Sequence, residues 1–109
     1  MEITFWDSKI QKLCKQETLA QKKLGKVCAR KLRARLSDMD AAAYVRDLVA
    51  GKPHPLKGDR QGQFALSLQG GIRLVFEPAN DPVPHKSDGS IDWSSVSAVC
   101  IVFIGNYHD

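Results

Sequence analysis

The fold is decided by one stretch of the sequence, 63-QFALSLQGGIRLVFEP-78. On either side of Gly70-Gly71, apolar residues alternate with polar or small ones. The apolar positions are Phe64, Leu66, Leu68, Ile72, Leu74 and Phe76. Period-two alternation is typical of strands with one buried face, and a glycine pair permits a tight turn between them. The stretch therefore predicts a β-hairpin whose apolar face forms one side of the core.

Three further segments extend this prediction to the ends of the chain. Residues 2–6, EITFW, alternate and predict a short strand, and residues 8–15 fit a single helical turn. Residues 96–104, VSAVCIVFI, are apolar on both faces, which is typical of a central strand covered on both sides. The intervening residues 78–95 contain three prolines and Asp88-Gly89, and so predict a long loop.

Two helices are predicted between the first strand and the hairpin. A capping box at Thr18–Gln21 opens a basic amphipathic helix over 19–36, with Gly25 inside it. A second cap signal at Ser37–Asp40 precedes a helix over 39–50. The resulting order is β-α-α-β-β-β. We expect a single α+β domain over residues 1–109, with an antiparallel-rich sheet packed on an αα-hairpin.

Composition limits the class of protein. Hydrophobic residues make up 43% of the chain, which is enough for a folded core. No apolar run approaches the roughly 20 residues of a membrane-spanning helix, and the start has no signal-peptide layout. Cys14, Cys28 and Cys100 lack metal-binding spacing and read as reduced, buried thiols. We therefore expect a soluble cytoplasmic protein with no membrane partner, no metal site and no cofactor.

Positive charge is concentrated in the first part of the chain. Residues 1–60 hold 14 of the 16 Lys and Arg residues against 7 acidic ones. A basic half favours a polyanion or an acidic protein as partner. The alternative for each lysine is an ordinary solvated helix face.

Three segments offer candidate functional residues: the loop before the hairpin, the hairpin itself and the end of the last strand. The candidates are His54, Lys57, Arg60, Arg73, Asn106, Tyr107 and His108. Arg73 falls on the sheet face away from the helices, where a cation requires water or an anion. We therefore expect an open cleft on that face.

These residue types suit metal-free cleavage of RNA. In that reaction the 2′-hydroxyl attacks its own 3′-phosphate, a base takes the 2′ proton, an acid protonates the leaving oxygen, and fixed cations stabilise the phosphorane. Arginine and lysine bind phosphate, histidine transfers protons near neutral pH, and tyrosine can stack on a base.

Each candidate also has an ordinary structural interpretation. Lys57 and Arg60 could be simple loop charges, Arg73 could pair with Glu77, and His54 could be a turn residue. Tyr107 could be packing alone, and His108 could belong to a free tail. His85, in the long loop, is treated as structural or exposed.

Two stretches carry a resemblance to a known family. HPLKGDRQGQFALSLQGGIRLVFEP and DGSIDWSSVSAVCIVFIGNYHD resemble the RelE superfamily of bacterial type II toxin–antitoxin toxins, within it the HigB or plasmid-maintenance killer branch. The resemblance implies a small microbial-ribonuclease-like α+β fold. It also implies cleavage of messenger RNA, commonly at codons in the ribosomal A site, which stops translation. A HigA-like antitoxin is implied as the partner that inhibits the toxin.

The resemblance also implies roles for the candidates. Arg60 and Arg73 match phosphate-contacting basic residues. Lys57 and His54 match a lysine and a histidine of the branch. Tyr107 and His108 match the terminal Tyr-His, where the family places residues important for cleavage. One departure is Asn106, where the family often has an acid; Asp109 follows instead.

The resulting hypothesis is an endoribonuclease with catalytic residues Lys57, Arg60, Arg73, Tyr107 and His108. In it His108, or alternatively His54, takes the 2′ proton, and His54 and Asn106 also contribute to RNA binding. The competing hypotheses are a module that binds RNA or DNA without cutting it and an inactive, antitoxin-bound repressor component.

Overall fold

The predicted hairpin lies within a five-stranded sheet in the computed structural model, which describes residues 1–107. In chain order the elements are β1 (Glu2–Phe5), α1 (Ser8–Lys15), α2 (Glu17–Leu24), α3 (Lys26–Ala41), β2 (His54–Pro55), β3 (Phe64–Ser67), β4 (Arg73–Pro78) and β5 (Ala98–Gly105). Short 3-10 turns occupy Val45–Asp47, Gly58–Arg60 and Trp93–Ser95.

The strands lie in the order β1-β5-β4-β3-β2. β1 runs parallel to β5, and the other neighbours are antiparallel. The last strand is therefore central, as its apolar sequence predicts. The α+β class and the antiparallel-rich sheet packed on helices are confirmed.

Helices cover one face of the sheet. Leu66, Leu74 and Phe76 from the hairpin are fully buried together with Leu32 and Met39 from α3. Each such side chain contributes roughly 1.5–3 kcal/mol when it leaves water. The hairpin and α3 thus carry much of the hydrophobic stabilisation.

A register shift in β5 changes which residues reach that other face. Phe76 pairs with Ile101, but the preceding Val75 pairs with Phe103, so Val102 is an extra residue in the strand. Such a bulge reverses the inward–outward alternation beyond it. Ile101 lies in the core, and Phe103 shares the outer face with Val75.

The predicted helix over 19–36 is two helices, and the capping box at Thr18–Gln21 does not open either. α2 begins at Glu17, and the helix is interrupted at Gly25, which has φ +87° and ψ 160°. This backbone region is essentially restricted to glycine. The amphipathic pattern continues across the break, which is why periodicity alone does not reveal it.

The predicted helix over 39–50 is wrong. The supposed cap at Ser37–Asp40 lies inside α3, which runs on to Ala41. Beyond it the Val45 amide donates to the Val96 carbonyl at 3.0 Å, a tertiary bond that replaces a helical one.

The predicted single turn over 8–15 is a full helix, α1, capped by the Asp7 carboxylate. Three helices therefore stand where the sequence predicts an αα-hairpin. No helix in residues 1–107 is long and apolar enough to cross a membrane.

We expect Gly25→Ala to lower the free energy of unfolding by about 1–3 kcal/mol, because alanine is strained in this backbone region. Urea titration measures the change. Lys26→Ala, at the exposed neighbouring position, should stay within about 0.5 kcal/mol of the wild type. A gain of about 1 kcal/mol in Gly25→Ala would contradict the break and indicate one continuous helix.

The three cysteines differ in how deeply they are buried. Cys28 is buried, and Cys14 and Cys100 are half-buried. Burial raises the pKa of the Cys14 thiol to about 12. Because this folded-state pKa lies above the unfolded value of about 8.5, the stability that Cys14 contributes falls as the pH rises from the unfolded toward the folded value.

Cys14 should therefore react slowly with iodoacetamide in the native protein at mildly alkaline pH, because the thiolate is the reactive form. Denaturant should accelerate the reaction strongly, and mass spectrometry of the peptides separates Cys14 from the other two cysteines. Equal rates at Cys14 in native and unfolded protein would disprove its protection.

Candidate functional site

A cleft of about 800 Å³ lies beside β2 and the Gly58–Arg60 turn. Its lining consists of His54, Pro55, Leu56, Lys57, Asp59, Arg60 and Tyr107. Four of these are sequence-predicted candidates: an imidazole, an ammonium, a guanidinium and a phenol. The chain thus gathers groups from residues 54–60, where the predicted loop begins with the strand β2, and from the residues after β5.

Arg60 is held against two aromatic rings. Its guanidinium carbon lies 4.5 Å from the centre of the Phe103 ring and 4.9 Å from that of Tyr107. The two rings are themselves in edge-on contact, with centres 6.4 Å apart. Each cation–π contact contributes about 0.5–2 kcal/mol, depending on how far the groups are removed from water. The rings fix the plane of the guanidinium at the cleft.

Gly105 makes room for this arrangement. Phe103, Gly105 and Tyr107 follow one another at alternate positions. A Cβ on Gly105 would lie 2.9 Å from the tip of the Phe103 ring, closer than side-chain carbons approach. The absent side chain therefore lets Phe103 lean along the strand.

A hydrogen-bonded chain orients Arg60 from another side. Arg60 Nη1 donates to Gln63 Oε1 at 3.0 Å, and Gln63 Nε2 donates to Glu77 Oε2 at 3.1 Å. All three residues are half-buried. Glu77 lies on β4, so the chain connects the loop cation to the rigid sheet.

His54 is held in one tautomeric form. Its Nδ1 lies 2.8 Å from the Lys52 carbonyl oxygen. A carbonyl only accepts, so Nδ1 carries the proton, and in the neutral ring Nε2 is the basic nitrogen. Gly51 and Lys52 have φ of +86° and +50°, and Lys52 is a non-glycine residue in the left-handed region. This unusual backbone directs the carbonyl toward the imidazole.

Arg73 lies outside the cleft lining within residues 1–107. Its Nη1 donates to the carbonyls of Gly70 and Ile72 at 3.2 and 3.4 Å, so the guanidinium turns back onto the hairpin. The open cleft that we expected on this face of the sheet does not lie at the centre of the face, because Ala65 and Val75 are fully buried there. The cleft lies instead beside β2 and the Gly58–Arg60 turn.

The remaining candidates fall at the end of the chain. Asn106 is exposed, and its amide packs on the hairpin turn, where a Cβ on Gly71 would lie 2.5 Å from Nδ2. His108 and Asp109 lie outside the described residues, so their assigned roles stay predictions. The alternative pairing of Arg73 with Glu77 is absent from the ion pairs within residues 1–107. Arg73 donates to the hairpin carbonyls instead, and Glu77 accepts from Gln63.

Sequence reasoning misses Phe103, Gln63 and Glu77. The apolar pattern assigns Phe103 to a doubly covered strand, and the bulge that turns it outward leaves no mark in that pattern. One signal is present: an aromatic residue, a glycine and another aromatic residue at alternate positions, 103, 105 and 107. Gln63 and Glu77 carry no signal before the pairing of β3 with β4 is known.

Comparisons with known proteins establish the fold. No family model matches the sequence, and no curated protein matches it. The YoeB/ParE toxin from Agrobacterium tumefaciens is similar in structure, with a TM-score of 0.58 and 14% identity over 99% of this chain and 100% of that one. The YoeB–YefM complex and the YoeB dimer, both from Staphylococcus aureus, give TM-scores of 0.59 and 0.57 at 17% identity, over 99% of this chain and 98% of theirs. The chain therefore has the fold of YoeB-type toxins over almost its full length.

We expect the neutral form of His54 to be the Nδ1–H tautomer, because the Lys52 carbonyl accepts from that nitrogen. Two-dimensional nitrogen–proton spectra of the imidazole rings distinguish the two tautomers, and His54→Gln assigns the signals. A pattern with the proton on Nε2 would contradict the hydrogen bond.

Proposed function

We propose that this chain is the toxin of a type II toxin–antitoxin pair in the RelE/ParE superfamily, and that it cleaves messenger RNA as a metal-independent endoribonuclease. The observation that carries the proposal is the cleft, in which an oriented guanidinium, a lysine and a histidine of defined tautomer line one surface. The fold shared with YoeB-type toxins supports the same conclusion.

In the proposed mechanism the RNA backbone enters the cleft with a phosphate at Arg60 and Lys57. Both groups stabilise the negative charge that grows on the phosphorane, a type of contribution worth about 10²–10³ in rate for a single donor. Tyr107, whose ring supports Arg60 on one side, positions the nucleotide. Arg73 acts from the neighbouring hairpin on the flanking backbone.

One of two imidazoles removes the 2′ proton. Our sequence-based hypothesis gives this step to His108, with His54 as the alternative. The His54 alternative has physical support, because the imidazole is exposed and its Nδ1 proton is bonded to a carbonyl, so that Nε2 is the atom able to accept. The other histidine is then available to protonate the leaving 5′ oxygen.

We further propose that a cognate antitoxin inhibits the toxin. One structural neighbour, YoeB, was solved in complex with YefM. The resemblance to the HigB branch indicates a HigA-like antitoxin and the ribosomal A site as the place of cleavage. We propose the cytoplasm as the compartment. If the family acid orients the histidine, Asn106 at that position orients His108 only weakly, or Asp109 substitutes for the acid.

Purified protein should generate new 5′-hydroxyl ends on messenger RNA in the presence of chelator, with ribosomes present or absent as parallel arms. Arg60→Ala should slow cleavage by about 10²–10³. If His54 is the base, His54→Ala should slow it by about 10²–10⁴. A chain ending at Asn106 tests Tyr107 and His108 together. Primer extension locates the cuts.

Arg30→Ala is the matched control, because Arg30 is an exposed arginine on α3 and should leave cleavage unchanged. If the protein binds RNA in a salt-sensitive way but produces no new ends with or without ribosomes, it is a binding module and not a nuclease. If Arg60→Ala, His54→Ala and the chain ending at Asn106 each keep full activity, the proposed site is wrong.

A further inference from the structure

Arg60 donates its only described side-chain hydrogen bond, within residues 1–107, to an amide oxygen and not to a carboxylate. We infer that Gln63 and Glu77 are positioning residues that orient Arg60 while leaving its positive charge available to an RNA phosphate. The inference rests on the proposed function, since it concerns the same cleft.

The orientation of the Gln63 amide follows from its two neighbours. A guanidinium only donates and a carboxylate only accepts. Gln63 must therefore present its oxygen to Arg60 and its nitrogen to Glu77, as observed. Glu77 determines which way the amide points, and the amide in turn determines where Arg60 Nη1 lies.

The backbone of Gln63 reinforces this geometry. Its amide donates to the Arg60 carbonyl at 3.0 Å, and its carbonyl accepts from the Leu56 amide at 2.9 Å. Gln63 is thus bonded to Arg60 through both backbone and side chain. The loop that presents the cation is closed by the same residue that orients it.

The neutral amide of Gln63 affects the charge of Arg60 differently from a carboxylate at the same place. A direct arginine–carboxylate pair is often bidentate, which occupies the donor fork and neutralises the cation. Here one oxygen of a neutral group takes Nη1 alone, and the negative charge of Glu77 is one side chain farther away. The Phe103 ring packs on the guanidinium without using its donors. The remaining N–H groups can therefore serve a phosphate.

The test is Gln63→Glu, which places a carboxylate directly beside Arg60. Affinity is measured for a single-stranded RNA carrying 2′-O-methyl groups throughout, so that binding is separated from cleavage. Loss of one phosphate contact should reduce the slope of log affinity against log salt by about 0.7. The affinity ratio of variant to wild type should recover as the pH falls toward the ordinary glutamate pKa of about 4.3, where the introduced carboxylate becomes neutral like the native amide.

Gln61→Glu is the matched control, because it adds the same charge at an exposed position two residues away. It should keep the wild-type slope. The double variant Gln63→Glu with Glu77→Gln removes the like-charge contact and should restore the thermal midpoint while RNA affinity stays low. If Gln63 had only a structural role, the double variant would restore both the thermal midpoint and the RNA affinity.

The inference is overturned if Gln63→Glu keeps the wild-type affinity and slope, or if Gln61→Glu loses as much. Failure of the proposed function is distinguishable, because the wild type itself would then produce no new RNA ends, whether or not it binds RNA. In that event, nitrogen–proton spectra of the Arg60 guanidinium still test the positioning role. Separate Nη signals in the wild type, from slow rotation of the guanidinium, and averaged signals in Gln63→Leu support the role. Identical Nη signals in the two proteins refute it.

Discussion

One extra residue in the central strand controls the organisation of this molecule. Ile101 packs inward against Phe76, but the shift at Val102 places Phe103 opposite Val75 on the outer face. With strict alternation Phe103 would point toward the helices, and Arg60 would lose one of its two rings. The bulge therefore lets a single strand serve the core along part of its length and the cleft along the rest.

The two faces of the sheet differ in the side chains that they hold. Helices cover the inner face with apolar side chains, and the outer face holds a cation supported by rings and an amide. The left-handed conformation of Lys52, a costly one for a residue with a side chain, persists at the point where His54 is aligned. Local strain of this kind is sustained by the surrounding structure and is concentrated at functional positions. The rigid sheet thus supports a loop whose own backbone is unfavourable.

Much of the fold follows from patterns in the sequence, and the exceptions have physical causes. The hairpin and the central strand are predictable because side-chain alternation reports burial directly. The break at Gly25 is not, since the apolar stripe continues past it. The sequence pattern around Val45 predicts a helix, but the Val45 amide donates to the Val96 carbonyl and not to a helical partner. In the site, His54 and Arg60 stand out by chemistry alone, whereas Gln63 acquires meaning only through its neighbours across the sheet.

The pairing of β1 with β5 has a consequence for biosynthesis. Glu2 lies opposite Ala98, so the sheet joins segments from the two ends of the described chain. Contacts this distant in sequence form late and slow the acquisition of structure. On a translating ribosome, the aromatic support for Arg60 does not exist until β5 has emerged. A partially made polypeptide consequently has the loop cations without the surface that organises them, and the cleft is assembled only once β5 and Tyr107 have emerged.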